Sequence, residues 1–395
     1  MNKNYEVIVI GCGGLGSAAL YQLSKELGPA VLGLERFGLG HERGASQDHS
    51  RIIRLAQHQS EYAALAPDAY EAWYEVERES GVQVLFKTGG LVIEDPTGRD
   101  MSKTGTRNID GYVAAFDEHG FDYELLDPDE LMGRWPQFRL RGPERAIYQE
   151  DSGLVDAKRA NAVHVALARA YGAEILENTP VRAVRPDGDG VQVVTDNETF
   201  LADGVVVASD AWTNMVLEET GVRIPLTVTQ EQVTYYSTPN LREFAPDRFP
   251  VFMWHGADNF YGFPVYGEVA TKLGQHMGGH EVTAETRTFE PDPVRVERYR
   301  EFLGRHLPGF LGPELYTKTC LYTIPSDQNF VLDTLPEHPQ ISVAIGAGHA
   351  FKFAALIGRA LGDLALRGET SLPIEAFRID RPAIIDAAFE KTFHV

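Results

Sequence analysis

The stretch YEVIVIGCGGLG, residues 5–16, decides the fold class of this 395-residue chain. Its first half is apolar and β-branched, which is typical of a strand buried on both faces, and it leads directly into a G-x-G-x-x-G turn. A helical pattern follows over residues 17–25, and a second apolar run, Val31 to Leu34, ends on Glu35. Strand, glycine turn, helix and strand in this order predict a dinucleotide-binding βαβ unit.

The glycines of the turn and the acid that follows have separate predicted roles. Gly11 allows the tight turn, Gly13 lets the backbone approach a pyrophosphate, and Gly16 lets the helix pack closely on the strand. The N-terminus of the helix that follows offers unpaired N–H groups and a partial positive charge for the phosphates. Glu35 is placed to accept hydrogen bonds from an adenosine ribose. The alternative is a glycine-rich turn in some other α/β domain.

Composition and charge restrict the functional class. The length favours two domains, and two cysteines among 395 residues suit a reducing cytoplasm. The net charge of −21 disfavours nucleic acid or an anionic membrane as partner. No apolar run approaches the roughly 18 to 20 residues of a membrane helix, and neither Met1–Asn4 nor Phe393–Val395 resembles a targeting signal. We expect a cytoplasmic protein without a metal site that acts on a small molecule, and an anionic substrate would need local cations.

The rest of the chain is predicted to add helices, further strands and a second glycine-rich turn. Residues 95–149, punctuated by Pro96, Gly98, Gly105 and Gly111, are irregular and suggest an insertion, and apolar runs between 224 and 274 suit an antiparallel sheet. A last buried strand, 341–345, enters the turn Gly346–Lys352, which can aim another helix N-terminus at the same ligand. Helices are predicted at 63–79, 127–133, 158–171 and 293–307, and strands at 89–93, 174–176, 181–184, 191–195 and 204–209.

Four separated motifs together resemble the monomeric sarcosine oxidase and N-methyltryptophan oxidase family, within the D-amino acid oxidase-like flavoproteins. The resemblance spans nearly the whole chain, and only the first motif is generic. The motifs are Gly11–Gly16 with Glu35, SRIIR at 50–54, YGFP at 261–264 with KLGQH at 272–276, and CLY at 320–322 with GHAFK at 348–352.

The resemblance implies an α/β fold with a Rossmann-like FAD-binding domain (1–85, 150–222 and 321–395) and an antiparallel-sheet catalytic domain (86–149 and 223–320). It also implies a monomer that oxidises the C–N bond of sarcosine or another N-alkyl amino acid. The imine is then hydrolysed, and dioxygen is reduced to hydrogen peroxide. Other members of the family act on pipecolate- or proline-type and fructosyl amino acids, which remain alternatives here.

Several positions match the family's cofactor contacts. Cys320 matches the cysteine that is joined to the flavin as a thioether, whereas a lone cysteine is otherwise usually a small buried hydrophobe, as we expect for Cys12. The predicted FAD-binding residues are Gly11, Gly13, Gly14, Gly16, Glu35, Arg36, Ser46, Arg51, Val181, Cys320, Gly346, Gly348, His349, Phe351 and Lys352.

Two cations match the family's clamp for the substrate carboxylate. They are Arg54 and Lys352, and a planar guanidinium suits bidentate binding of a carboxylate. From the residues alone, Arg51 and Arg54 could equally be solvated surface cations that share one side of a helical segment. Lys352 would otherwise be an ordinary residue in the first turn of a helix.

Four further positions match the family's catalytic groups. Lys272 matches the lysine that activates dioxygen near the flavin N5 atom, where a cation stabilises developing negative charge. Arg51 matches an arginine beside the flavin, and His276 and Tyr322 match polar groups around the substrate amine. Without the resemblance, Lys272 would be a strand-edge residue, and the other two would be satisfied core or surface groups.

The substrate pocket departs from that of sarcosine oxidase at one position. Gln47 stands where that enzyme has a histidine, and a neutral amide supplies no titrating group. Tyr261 matches a pocket residue. Together with Trp254 it leaves room for a substrate side chain larger than that of sarcosine.

Two other functional classes remain open from the sequence. A nicotinamide-dependent dehydrogenase would share the first βαβ unit but would give Cys320 and the second glycine-rich turn no role. A flavoprotein that modifies RNA is disfavoured by the acidic balance and the lack of a basic patch.

Overall fold

The computed structural model describes residues 4–97 and 107–393. The expectations about Met1–Lys3, about Gly98 and Gly105, and about the last two residues fall outside these ranges. The helices are α1 (Gly14–Leu27), α2 (Ser60–Ser80), α3 (Ile109–His119), α4 (Pro128–Arg134), α5 (Ala157–Ala170), α6 (Thr213–Val216), α7 (Pro293–His306), α8 (Ala354–Arg367) and α9 (Pro382–Ile385).

The strands alternate with these helices in the first part of the chain and dominate the second. They are β1 (Asn4–Ile10), β2 (Val31–Leu34), β3 (Arg51–Ile53), β4 (Leu85–Lys87), β5 (Gly90–Glu94), β6 (Glu124–Leu126), β7 (Arg145–Gln149), β8 (Gly153–Val155), β9 (Glu174–Leu176), β10 (Val181–Asp187), β11 (Gly190–Thr195), β12 (Thr199–Val207), β13 (Leu226–Tyr236), β14 (Val251–His255), β15 (Asn259–Phe263), β16 (Thr271–Gln275), β17 (His280–Val282), β18 (Glu314–Pro325), β19 (Val331–Leu335) and β20 (His338–Ile345).

The first sheet contains eight of the described strands around a parallel centre. β1 pairs in parallel with β2 and β12, β2 pairs with β9, and β12 pairs with β20, while β10, β11 and β19 add antiparallel edges. Val7 and Val9 pack into one apolar cluster with α1, α5 and α8, whereas Ile8 and Ile10 pack into another on the opposite face. Burial on both faces explains the continuous apolar run and confirms the predicted βαβ unit.

The turn between β1 and α1 depends on two glycines. Gly11 adopts φ +88° and donates its N–H to the Leu34 carbonyl at 2.9 Å. A Cβ on Gly16 would stand 1.7 Å from the Gly11 carbonyl oxygen, so the first turn of α1 lies directly on the end of β1. The predicted packing role of Gly16 therefore has a clear steric basis.

The second sheet joins nine of the described strands in the order β17-β13-β16-β15-β14-β5-β7-β6, with β18 also paired to β13. Its pairs are antiparallel except for β14 and β5. β18 pairs with β13 from Glu314 to Pro325, so the expected domain boundary at 320/321 falls inside a strand of this sheet. Cys320 and Tyr322 thus belong to the antiparallel sheet, and the domain division stays a prediction.

Local sequence signals explain several helix ends. Asp127 accepts the Glu130 N–H at 2.9 Å, and Glu130 accepts the Asp127 N–H at 3.0 Å, which is a capping box at the start of α4. Asp292 caps α7, with Pro293 in its first turn. No helix in residues 4–97 and 107–393 is long and apolar enough to cross a membrane.

Two local features that the sequence left open are decided by the structure. Residues 51–53 form β3 in a small sheet with β8 and β4, so the helical alternative for Arg51 and Arg54 does not apply. The irregular region contains helix α3, whose Asn108 accepts the Gly111 N–H at 2.8 Å. Gly111 therefore lies inside a helix and does not mark a loop.

We predict that Gly16→Ala loosens the first βαβ unit. The added methyl group cannot fit against the Gly11 carbonyl, and overpacking of this kind typically costs about 1–3 kcal/mol. Gly304→Ala is the matched control because a Cβ there, within α7, meets nothing within 4 Å. Denaturant unfolding should show a lower free energy of unfolding for Gly16→Ala and an unchanged or higher one for Gly304→Ala. Equal stability of both variants would contradict the packing argument.

Candidate active site

A cavity of about 860 Å³ lies where the carboxyl ends of β1 and β2 face the antiparallel sheet. Its volume falls within the range of about 300–1,000 Å³ that is usual for small-molecule sites. Gly16 and Lys272, two of the residues predicted from sequence, do not line it. The predicted residues that do are Gly11, Gly13, Gly14, Glu35, Arg36, Ser46, Gln47, Arg51, Arg54, Val181, Tyr261, His276, Cys320, Tyr322, Gly346, Gly348, His349, Phe351 and Lys352.

The end of the cavity at the first glycine turn carries a fixed carboxylate. Glu35 accepts the backbone N–H groups of Cys12 at 2.9 Å and Phe37 at 3.0 Å, and His41 Nε2 lies 3.2 Å from it. Burial opposes ionisation of Glu35, but these hydrogen bonds outweigh it and lower its pKa. Glu35 is therefore an ionised acceptor at the carboxyl end of β2.

The two glycine-rich turns meet at this cavity. A Cβ on Gly14 would stand 2.9 Å from the Phe351 ring, so the first turn contacts the second. Gly348 adopts φ +76°, and a Cβ there would stand 2.5 Å from the Tyr322 ring. The second turn therefore packs against β18, which brings Cys320 and Tyr322 to the same wall as Lys352.

Cys320 is an unpaired thiol on this wall, whereas Cys12 is buried in the first turn. Burial raises the pKa of Cys320 to about 11, although the guanidinium of Arg51 acts in the opposite direction. The thiol is therefore neutral near pH 7 and faces the cavity. Both cysteines line the cavity, and the thioether role of Cys320 stays a prediction.

One buried carboxylate forms ion pairs with two cations beside the cavity. Asp48 Oδ2 lies 2.6 Å from Lys272 Nζ and 2.8 Å from Arg51 Nη1. Burial raises the pKa of Asp48, but Lys272 and Arg51 outweigh it and hold that pKa far below its ordinary value. Arg51 lines the cavity, and Lys272 lies behind the lining residue Phe263, with Nζ 4.4 Å from the ring centroid.

A second pair of cations has no such carboxylate. Arg54 donates to the Tyr112 hydroxyl at 3.2 Å and to the Ala56 carbonyl, and Lys352 Nζ donates to the His349 carbonyl at 2.6 Å. Burial first, and then the charge of Arg54, hold the pKa of Lys352 well below its ordinary value. Within the described part of the chain, no ion pair joins Arg54 or Lys352 to an acid.

The groups around this cation pair are neutral. Burial lowers the pKa of His276 to about 3, and the nearby charges of Arg107, Lys352 and Arg54 act in the same direction. Burial also raises the pKa of Tyr261 and Tyr322 far above its ordinary value. His276 can therefore accept a hydrogen bond, and both phenols keep their protons.

Sequence reasoning missed several cavity residues and misplaced one. Tyr112 and His255 support Arg54, since the Tyr112 hydroxyl lies 3.1 Å from His255 Nε2. Trp254 was a wrong expectation: it packs against Phe302 and His306 in the core of the antiparallel sheet. Side chains alternate along β14, so its neighbours Met253 and His255 line the cavity. The sequence indicated that alternate side chains of this strand would face opposite sides, but it did not show which of them would face the cavity.

Comparison with known proteins decides the family. The model of the DAO family, described as FAD-dependent oxidoreductase, matches residues 6–364. The chain belongs to this family. The monomeric sarcosine oxidase of Bacillus sp. strain B-0618 is 33% identical over 397 residues, covering 99% of this chain and 100% of that protein. The N-methyl-L-tryptophan oxidase of Escherichia coli is 29% identical over 383 residues, covering 95% and 99%.

A solved structure agrees with the fold of this FAD-dependent oxidoreductase. NikD, an unusual amino acid oxidase essential for nikkomycin biosynthesis, matches with a TM-score of 0.84 and 27% identity over the full length of both chains. These matches confirm the predicted family, the FAD cofactor and the combination of a Rossmann-like unit with an antiparallel sheet. They decide for FAD over the nicotinamide alternative.

The residues that line the cavity of this FAD-dependent oxidoreductase are suited to binding a dinucleotide. A Cβ on Gly13 would stand 3.0 Å from Ser46 Oγ, and the same hydroxyl accepts the Gly14 N–H at 2.8 Å, so Ser46 lies directly against the turn. Gln47 Oε1 is buried without a hydrogen-bond partner in the described structure. Arg36 lies over the Trp212 ring at 5.6 Å. A ligand with phosphate and ring groups would satisfy this arrangement.

We predict that a small carboxylate binds beside Lys352 with uptake of a proton. An anion favours the charged form, so binding raises the depressed pKa of Lys352. Between the lower and the higher pKa, the amine becomes protonated as the ligand enters. Calorimetric titration in buffers with different ionisation enthalpies should show uptake of up to about one proton per site. Lys352→Met should abolish the uptake, and buffer-independent binding enthalpies in the parent protein would contradict the prediction.

Proposed function

We propose that this protein is an FAD-dependent oxidase of secondary amino acids, sarcosine or another N-alkyl amino acid. The carbon–nitrogen bond is oxidised to an imine that water hydrolyses, and dioxygen is reduced to hydrogen peroxide. The observation that carries the proposal is the pair of half-buried Arg54 and buried Lys352, which has no carboxylate partner among the described residues, in contrast to Arg51 and Lys272. Relatives named sarcosine oxidase and N-methyl-L-tryptophan oxidase support it.

The cation pair supplies the binding energy for a carboxylate. A chain of net charge −21 repels anions at long range, so a substrate carboxylate needs local positive charge. Arg54 is anchored by Tyr112, and the Lys352 backbone is held by the Trp73 indole, which donates to its carbonyl at 2.9 Å. Held in this way, the two cations fix the position and orientation of an amino acid.

The amine end of the substrate meets neutral groups. His276 accepts a hydrogen bond from the secondary amine, and Tyr322 and Tyr261 offer hydroxyl groups. A neutral imidazole favours the uncharged amine, which is the form that loses electrons readily. We assign these three residues to the amine side of the pocket because all of them line the cavity that contains Arg54 and Lys352.

FAD, when bound, accepts electrons from the amine and passes them to dioxygen. Gly11, Gly13, Gly14 and Glu35 would hold its adenosine and pyrophosphate part, as the family implies. We propose that Cys320 forms the thioether attachment, because its thiol lines the cavity. Lys272 and Arg51 then provide positive charge where dioxygen takes up electrons. Their shared carboxylate is Asp48.

Substrate size, oligomeric state and location are finer parts of the proposal. Gln47 lines the cavity with an unsatisfied carbonyl oxygen, which a hydrogen-bond donor on a substrate larger than sarcosine can satisfy. Bulkier N-alkyl, cyclic or fructosyl amino acids are therefore retained beside sarcosine. We propose that the protein is a monomer, as the name of the monomeric sarcosine oxidases suggests. We also propose a cytoplasmic location, which the low cysteine content favours.

We predict that Arg54→Ala and Lys352→Ala lower kcat/KM by roughly 30- to 4,000-fold, because losing one partner of a buried charged contact costs about 2–5 kcal/mol. Peroxide formation is measured with sarcosine, N-methyltryptophan, pipecolate, proline and a fructosyl amino acid. Lys158→Ala, on the exposed side of α5, is the control and should leave kcat/KM unchanged. If no amino acid in this series yields peroxide, the proposed substrate class is wrong.

We predict that FAD stays with the protein after acid precipitation and that Cys320→Ala releases it. The thioether survives unfolding, whereas noncovalent contacts do not. Cys12→Ala is the matched control because its thiol is buried in the first turn. The yellow colour should remain in the pellet of the parent and of Cys12→Ala. Colour in the supernatant of the parent protein would refute covalent attachment.

A further inference from the structure

We propose that Asp48 is a positioning residue for dioxygen reduction, because its carboxylate keeps Lys272 protonated and fixed beside Arg51. The inference rests on the proposed oxidase function. It concerns a residue that none of the sequence motifs singled out for a role.

The ammonium group of Lys272 is fully engaged. It lies 2.6 Å from Asp48 Oδ2 and donates to the Ser50 carbonyl at 2.7 Å and to the Ser50 hydroxyl at 3.1 Å. An ammonium group has three N–H donors, and here each has an acceptor. A neutral amine would leave one of these acceptors unpaired in a site that is 1% exposed, so the geometry is built for the charged form.

Asp48 is the only carboxylate in contact with Lys272 in the described structure. The other charged groups that face Lys272 are cations, Arg51 from β3 and Lys318 from β18. Both of them disfavour protonation of Lys272. Burial lowers the pKa of Lys272 to about 8, and Asp48 opposes that fall. Tyr235 from β13 donates its hydroxyl to Asp48 and stays protonated, since burial raises its pKa.

The remaining titratable groups near the cluster cannot replace Asp48. Tyr261, Tyr316 and Cys320 are neutral because burial raises their pKa values. Glu268 contacts His49 at 3.1 Å and Tyr316 at 3.2 Å, and so is engaged elsewhere. Removing the charge of Asp48 therefore leaves three neighbouring cations without a buried counter-ion.

The effect of Asp48 on the reaction is electrostatic. Formation of hydrogen peroxide from dioxygen consumes two electrons from the reduced cofactor and two protons from the cofactor and solvent, and Asp48 supplies neither. Negative charge that develops on dioxygen is stabilised by the ammonium group behind Phe263 and by the guanidinium of Arg51. Asp48 holds both cations in place, so it acts through them.

The first test is Asp48→Asn, which keeps the shape of the side chain and removes its charge. In the holoenzyme, flavin reoxidation by dioxygen slows as the pH rises and Lys272 loses its proton. In Asp48→Asn this loss of rate should occur at a pH about 1–3 units lower than in the parent. Lys272 is about half charged at pH 8 in the parent, so reoxidation at pH 8 should slow about fivefold or more. Anaerobic reduction by substrate should change far less. An unshifted pH profile would overturn the inference.

A double variant separates this inference from the proposed function. Lys272→Met alone should slow reoxidation, and adding Asp48→Asn to it should cause little further loss, because Asp48 acts mainly through Lys272. If Lys272→Met does not slow reoxidation, the proposed role of Lys272 fails. If it does and Asp48→Asn then slows the double variant as much as it slows the parent, the role of Asp48 fails alone.

A direct readout does not depend on turnover. The chain has nine lysines, so a ¹⁵N-lysine spectrum of the holoenzyme can resolve the buried ammonium of Lys272, assigned with Lys272→Met. The signal should be present at pH 7 in the parent. As the pH is raised, it should disappear at a lower pH in Asp48→Asn than in the parent. Tyr235→Phe, which removes a hydrogen bond to Asp48 but no charge, is the control and should retain the signal. Absence of the ammonium signal in the parent at pH 7 would overturn the inference even if Asp48→Asn did not fold.

Discussion

Two cation pairs, each made of a half-buried arginine and a buried lysine, lie beside one cavity, and the active site depends on how their charges are balanced. Buried charges are costly unless they are paired. Arg51 and Lys272 meet this requirement through Asp48, at 2.8 and 2.6 Å. Arg54 and Lys352 do not, since no acid of the described chain pairs with them, and the pKa of Lys352 is depressed as a result. One pair is thus complete within the protein, and the other requires an anion from outside.

The backbone explains how these charges come together. Arg51 and Asp48 follow the first βαβ unit, Lys272 lies on β16, and Lys352 follows the last parallel strand. Gly348 lets the second glycine-rich turn contact Tyr322 on β18, which joins the parallel sheet to the antiparallel one at the cavity. The cluster centred on Asp48 joins the same two sheets through Lys272 and Tyr235. A close contact at Gly348 and the ion pair of Asp48 with Lys272 therefore join the cofactor wall to the substrate wall.

Local features were readable from the sequence, and long-range pairing was not. The run before Gly11 and the proline after Asp292 each predicted their element correctly, because strand burial and helix capping depend on adjacent residues. Asp48 and Lys272 are 224 positions apart, so nothing local marks them as partners. Segment 51–54 has apolar residues flanked by arginines, a pattern that fits both a strand and a helix, and pairing with β8 decided for the strand. Most of the site residues predicted from the motif resemblance line the cavity, but the resemblance did not show which cations were already paired.

Anaerobic reduction of the bound FAD by an N-methyl amino acid and by the matching N-methyl amino acid amide tests the central claim most directly. The two compounds share the reacting carbon–nitrogen bond and differ only in the charge that Arg54 and Lys352 would bind. Rapid mixing should show that the free acid bleaches the oxidised flavin absorbance, and that the amide does so at least about 30-fold more slowly at equal concentration, in line with about 2 kcal/mol for a lost charged contact. Equal rates for the acid and the amide would contradict the account.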